Sequence, residues 1–329
     1  MLVAIFALAP VVLSHDVYSY VDYARLGVVH GLNPYEQAPA AAPSDPAFAQ
    51  VDWIGATSAY GPLFTLATYP LAWLPVGLAV AALKALAAFS VLGLAVIVAR
   101  LAAARGVDPA RAAAFVALNP LVLVHVVGGA HNDALAILLS MLGVVGVLAG
   151  AEATAGAAFV GAFAVKASAA FATPFALIAA HRSPGGRGWR FLPGALGALA
   201  LLALAAWPAF GLHWLDALGL AGESQGRTSH MSVPVTFARL TGADPDLVRI
   251  AALSIYGALV ALLLAWTWRG GDWVRAAAWA GLGLLFATAW LLPWYLVWAL
   301  PLVAISRDRP LQLLALALTA FQLGARIPL

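Results

Sequence analysis

The chain has 329 residues, of which 64% are hydrophobic and only 9% charged, with a mean hydropathy of +0.93. A soluble domain of this size cannot bury so much apolar surface, so its solvent is lipid. The net charge of +3 and a pI of about 9.4 do not point to nucleic acid, because the 17 basic residues are scattered in short loops; with no cysteine, disulfides, thiolate catalysis and cysteine-ligated zinc are excluded.

Residues 2–14 are apolar. As a helix they would rise only about 20 Å, against a hydrocarbon core of about 30 Å, and no basic stretch precedes them as in a signal peptide. The expectation is a start upstream of Met1. A polar stretch, 15–59, follows, opening with HDVYSYVDYARLGVVHGLNPY. Apolar runs then recur at 60–75, 77–99, 110–127, 134–150, 154–180, 191–211, 248–268, 274–292, 294–306 and 310–325, interrupted by a second polar stretch at 212–247. No internal repeat is visible. The pattern predicts an all-α polytopic membrane protein: one transmembrane domain over 1–329, with about ten or eleven spanning or interfacial helices.

Arginine placement orients it. Arg100, Arg105 and Arg111 share one loop, Arg182, Arg187 and Arg190 another, and Arg269 with Arg275 and Arg307 with Arg309 mark two more. By the positive-inside rule these face the cytoplasm. Asp16, Asp22, Glu36, Asp45 and Asp52 face only Arg25 in the 15–59 stretch, which makes it the first outer loop. Counting crossings then requires YGPLFTLATYPLAWLP (60–75) to be a short or interfacial helix. The same parity puts GGAHND (128–133) outside, folds run 154–180 into a hairpin with its apex near Lys166, and brings LLPWY (291–295) to the same face.

Four constellations could carry chemistry. Asp16, flanked by His15, Tyr18, Tyr20 and Tyr23, could accept a proton from a sugar hydroxyl while the rings stack on sugar or lipid; the same residues also fit an acidic flank with interfacial tyrosines. In NPLVLVHVVGGAHNDAL, Asn132 or Asp133 is placed for an N-cap, which leaves His125 and His131 unexplained. Open backbone N–H groups in a Gly-Gly turn would favour a phosphate there; a divalent metal is disfavoured by the spacing of His131 and Asp133 and the want of a third ligand. Lys166 lies inside an apolar run, where a lysine costs about 3 kcal/mol unless it snorkels or meets an anion; Lys84 is a weaker case. The 212–247 stretch, the second outer loop, holds Arg227 and His230, which could bind an acceptor glycan or belong to a solvated connector.

Taken in order, DVYSY, GLNPY, YGPL, NPLVL, GGAHND, VKASAAFATPF and PWYLVW resemble the polyprenyl-phosphate-mannose-dependent alpha-1,6-mannosyltransferases of actinobacterial envelopes, of the GT-C class of membrane glycosyltransferases. The resemblance runs from about residue 14 to 305, and this chain is shorter than typical members at both ends and in the first loop. It implies transfer of a sugar from a polyprenyl phosphate on the outer face of the plasma membrane, with Asp16 as the base, no nucleotide sugar and no strict metal. The expected reaction is inverting. Asp16 deprotonates a hydroxyl of a glycan or glycolipid acceptor, Lys166 and His131 stabilise the phosphate, Asn132 and Asp133 orient, and Tyr18, Tyr20, Tyr60, Trp294 and Tyr295 line the entrance. The rival is a transporter or flippase of a lipid-linked sugar, since internal polar groups mark transport paths too; those proteins often show repeats and midplane sites.

Overall fold

A computed structural model describes residues 1–11, 13–183, 188–223 and 226–325. All regular structure among them is helical, and the protein is an all-α polytopic membrane protein. The first helix, α1 (Leu2–Leu8), is shorter than its apolar run because Pro10 drives Ala9 out of the helical region (φ −62°, ψ 157°). The polar stretch that follows is not all loop: Asp16–Val28 forms α2. Val17, Tyr20, Val21 and Ala24 recur at helical spacing and are buried, while Asp16 in the first turn and Arg25 in the last complement the helix dipole. The predicted short element at 60–75 is α3 (Pro62–Thr68) running into a 3-10 turn, Tyr69–Trp73; together they are too short to span.

Among the described residues three helices are long and apolar enough to cross a membrane: α4 (Val76–Ala104), Gly188–Phe210, whose α-helical part is α9 (Phe191–Phe210), and α12 (Pro245–Trp268). Between them lie α5 (Pro109–Ala117), a π-helical segment (Val122–Val127), α6 (Asp133–Leu148), α7 (Glu152–Val165) and α8 (Thr173–His181). The chain breaks at Lys166, which is extended (φ −156°, ψ 123°) and opens a 3-10 segment, Ala167–Ala172. A Cβ on Gly188 would meet the Ala180 carbonyl at 1.9 Å, and one on Gly194 the Ala153 carbonyl at 2.1 Å. The end of α8 therefore returns beside the start of α7, which makes 154–180 the expected hairpin with Lys166 at its apex.

The 212–247 stretch contains α10 (Asp216–Glu223) and α11 (Val233–Thr241). After α12 come α13 (Trp273–Ala287), a 3-10 segment (Pro293–Trp298), α14 (Leu300–Ile305) and α15 (Arg309–Gly324). The outward side chains of α12, including Leu247, Ile250, Ile255 and Leu262, are exposed, as expected of a helix facing lipid. Small residues bring the inner helices close: Gly143 of α6 abuts the Phe159 ring, Gly146 abuts Ala155, and Gly156 leaves room for only the Phe191 backbone.

Polar contacts divide the molecule into two ends. At one, Arg105 donates to the Ile305 carbonyl (2.8 Å) and pairs with Asp272, Arg275 pairs with Asp308 (2.6 Å), and His181 stacks on Trp268 (5.9 Å). The basic loops predicted to share a face thus share an end. Asp16, His131 and Asp133, with the rings of Trp53, Trp294 and Trp298, collect at the other.

Candidate functional site

Asp16 opens α2 with its side chain 16% exposed. The Trp53 indole N–H donates to its Oδ1 (3.1 Å), and its Oδ2 lies 3.7 Å from His131 Nδ1. Burial pushes the Asp16 carboxyl above its usual range, a push opposed by the Trp53 hydrogen bond and then by Lys166. Two segments more than 110 residues apart in sequence thus meet at one carboxylate, and the expected proximity of Asp16 to the GGAHND turn holds.

That turn differs in detail from the expectation. The π-helical segment before it is wound wider than an α-helix, and its bonds reach five residues back: Gly128 N–H donates to the Leu123 carbonyl (3.0 Å) and His131 N–H to that of Val126 (3.0 Å). Gly129 N–H is taken by His125 (2.9 Å). These amides are consumed within the turn rather than presented to an anion. The left-handed position is held by Ala130 (φ 56°). Gly129 is required for space, since a Cβ there would sit 3.0 Å from the His131 ring. His131 itself is fully buried and stacks on Trp294, with ring centroids 3.8 Å apart; His125 is tilted against the same indole at 6.2 Å.

Asn132 stands at the N-cap position of α6, yet its side chain makes no capping bond. With His131 it lines a small cavity of about 10 Å³, room for one water, whose other walls are apolar, from Phe64, Leu83, Ala87 and Leu135. Asp133 is fully buried and doubly bonded: Lys166 Nζ donates to Oδ2 (2.8 Å) and the Trp298 indole to Oδ1 (2.6 Å). Lys166 Nζ also sits over the rings of Tyr295 (5.3 Å) and Trp298 (5.9 Å), which stack on each other at 4.1 Å. The intramembrane lysine therefore meets an internal anion rather than snorkelling to the membrane edge. Lys84 is also buried and is held by the Ala9 carbonyl, tying α4 to the end of α1.

Of the predicted lining residues, Tyr20 is buried edge-to-face against Tyr60 (4.7 Å) and Phe64 (5.0 Å), and Trp294 meets Tyr295 edge-on at 6.0 Å. Tyr18 packs on His15 at 5.7 Å, and His15 in turn lies 3.3 Å from Asp52. Arg227 reaches this end, its guanidinium 5.0 Å over Trp53 and 6.0 Å over Trp290. His230 is exposed and contributes a carbonyl to Thr236 (3.2 Å). Among the described residues no three His, Asp or Glu side chains gather in a way that could hold a metal ion.

Sequence reasoning missed Trp53, Trp290 and Trp298. Trp298 stands in PWYLVW three residues after Tyr295, and a polar-tipped aromatic in an apolar run was a usable signal. Trp53 sits in an irregular stretch whose path only the fold decides.

Fold and site together define a multi-pass helical membrane protein with an acidic, aromatic-lined centre at one end of its bundle. The chain belongs to the alpha-(1->6)-mannopyranosyltransferase family: residues 3–182 match the family described as "Alpha-(1->6)-mannopyranosyltransferase, N-terminal domain". It is similar to Alpha-(1->6)-mannopyranosyltransferase A of Mycobacterium tuberculosis, 31% identical over 325 residues, covering 89% of this chain and 61% of that protein. It is also similar to Alpha-(1->6)-mannopyranosyltransferase A of Corynebacterium glutamicum, 34% identical over 184 residues, covering 53% of this chain and 36% of that one. The chain thus spans less than two thirds of the length of these curated relatives. No solved structure matches it.

Proposed function

We propose that this protein is an inverting mannosyltransferase that takes mannose from a polyprenyl phosphate and gives it to a glycan or glycolipid hydroxyl at the outer face of the plasma membrane. The names of the relatives support the sugar and the transfer. The observation that carries the mechanism is Asp16: a part-exposed carboxylate held by Trp53 at one oxygen, beside an aromatic wall, at the end of the bundle away from the basic loops.

Asp16 takes the proton of the acceptor hydroxyl as that oxygen attacks the anomeric carbon. Burial raises its basicity, which brings a carboxylate closer to the pKa a general base needs near neutral pH. The bond from the anomeric carbon to the phosphate oxygen breaks, and polyprenyl phosphate leaves with the electron pair. The phosphate gains charge in that step, so it needs a cation and not an acid. Trp294 and Tyr295 supply flat apolar faces for the sugar or the first isoprene units. The Asp133–Lys166–Trp298 cluster holds the α6 start and the α7 break in register behind them.

The test is purified protein with radiolabelled polyprenyl-phospho-mannose and an oligomannoside. Label on the acceptor, lost in Asp16→Asn at normal yield of folded protein, is the expected result. Near-full activity in that variant would remove the base, and label that only changes leaflet would replace transfer by flipping.

A further inference from the structure

The reaction needs a cation at the phosphate, and at this end Lys166, His131 and Arg227 each lie against the aromatic rings of the centre. Lys166 is neutralised by Asp133 at 2.8 Å and roofed by Tyr295 and Trp298. His131 has no exposed surface and lies flat on Trp294. Arg227 differs from both. It is exposed, and among the described side chains no carboxylate pairs with it. The faces of Trp53 and Trp290 hold its guanidinium at 5.0 and 6.0 Å. The backbone beside it is pinned as well, since Ser229 N–H donates to the Ala289 carbonyl at 2.8 Å. The indole beneath Arg227 is the one that donates to Asp16. One side chain thus links this arginine to the carboxylate.

An arginine stacked on indoles keeps its in-plane N–H donors free, because the rings occupy only its faces. Those donors match a phosphate in a bidentate fork. We propose that Arg227 receives the phosphate of the lipid donor, with Trp53 and Trp290 as the platform that aims it. This rests on the transferase reading above. The proton of the acceptor hydroxyl goes to Asp16, the new bond forms at the anomeric carbon, and the electron pair of the broken bond goes to the phosphate oxygen facing Arg227.

Two measurements test it. Direct binding compares polyprenyl monophosphate with uncharged polyprenol and with inorganic phosphate, for wild-type protein and Arg227→Gln in detergent. The expected result is at least roughly tenfold weaker binding of polyprenyl monophosphate to the variant, with polyprenol unchanged. Arg227→Lys should recover part of the loss, since it keeps the charge and loses the fork. Inorganic phosphate binding as well as polyprenyl monophosphate would mean an anion site not committed to a lipid, and would overturn the donor assignment. In the transfer assay, Arg227→Gln should lower kcat by roughly 100-fold or raise donor KM, leaving acceptor KM alone. A rise confined to acceptor KM would give Arg227 to the acceptor and sink the proposal; equal binding of polyprenyl monophosphate to wild type and variant would do the same. Wild-type protein that binds the phosphate through Arg227 but transfers nothing would instead refute the transferase reading and leave the anion site standing.

Discussion

Replacing Lys166 by Met keeps the length of the side chain and removes its charge. Asp133 then stays fully buried with its Oδ1 still held by Trp298 and its Oδ2 unpaired. Breaking a buried pair from one side costs about 3–5 kcal/mol. The surviving indole bond and the 17% exposure of the Lys166 side chain argue for the lower end, about 3 kcal/mol. For a chain of this size each kcal/mol moves the midpoint by about 2 °C, so Lys166→Met should lower the apparent Tm in detergent by about 6 °C. Asp133→Asn leaves a lysine that can turn towards the mouth, and should cost about 1–2 kcal/mol. The double variant removes both charges together and should be more stable than Lys166→Met, with a coupling of about 2 kcal/mol. A Lys166→Met midpoint equal to wild type, or a double variant losing the sum of the singles, would refute the view that this ion pair holds the two helix ends together.

Other outcomes follow from single contacts. Because burial raises the Asp16 carboxyl, the acid limb of kcat/KM should lie above the ordinary carboxylate range; Trp53→Phe removes the bond that opposes the rise and should move the limb to still higher pH, with a pH–rate profile as the check. Asp22 is 1% exposed, neither of its oxygens has a hydrogen-bond partner, and burial, then the charge of Asp45, raise it to about 7 against the pull of His30 and Arg25. Its folded value lies above the unfolded one, so its ionisation costs stability from about pH 4 upward and the cost levels off above pH 7. Asp22→Asn should therefore be neutral near pH 4 and stabilising at pH 8, by at most about 4 kcal/mol; thermal melts at both pH values decide, and a gain at pH 4 alone would be the wrong sign. Gly156→Ala places a Cβ 2.1 Å from the Phe191 carbonyl, so α7 and α9 must part; a melting point within a degree of wild type would show that they are not packed as described.

Much of the helical plan was legible because a membrane segment announces itself by composition, with no partner needed to interpret it. The runs at 77–99 and 248–268 became α4 and α12 nearly unchanged. The helix at Asp16–Val28 was legible too, in its buried spacing of Val17, Tyr20, Val21 and Ala24, but the polarity of the stretch masked it. The apex at Lys166 followed from counting crossings, a topological argument that needs no contact. The partner of Lys166 did not follow, because a cation in an apolar run states a debt of solvation without naming what settles it.

The amino-acid sequence by itself determined that this chain lives in lipid, which segments are apolar, which loops are basic and which are acidic, because hydration free energy belongs to each residue one at a time. Only the tertiary structure decided that Trp53 holds Asp16, that Trp298 and Lys166 share Asp133, and that Arg227 rather than Lys166 is the cation left open. Those pairings cross up to 174 positions between Trp53 and Arg227. Hydrogen bonds and ring contacts act over a few ångströms, and no local pattern records which distant segments the packing of helices will bring that close.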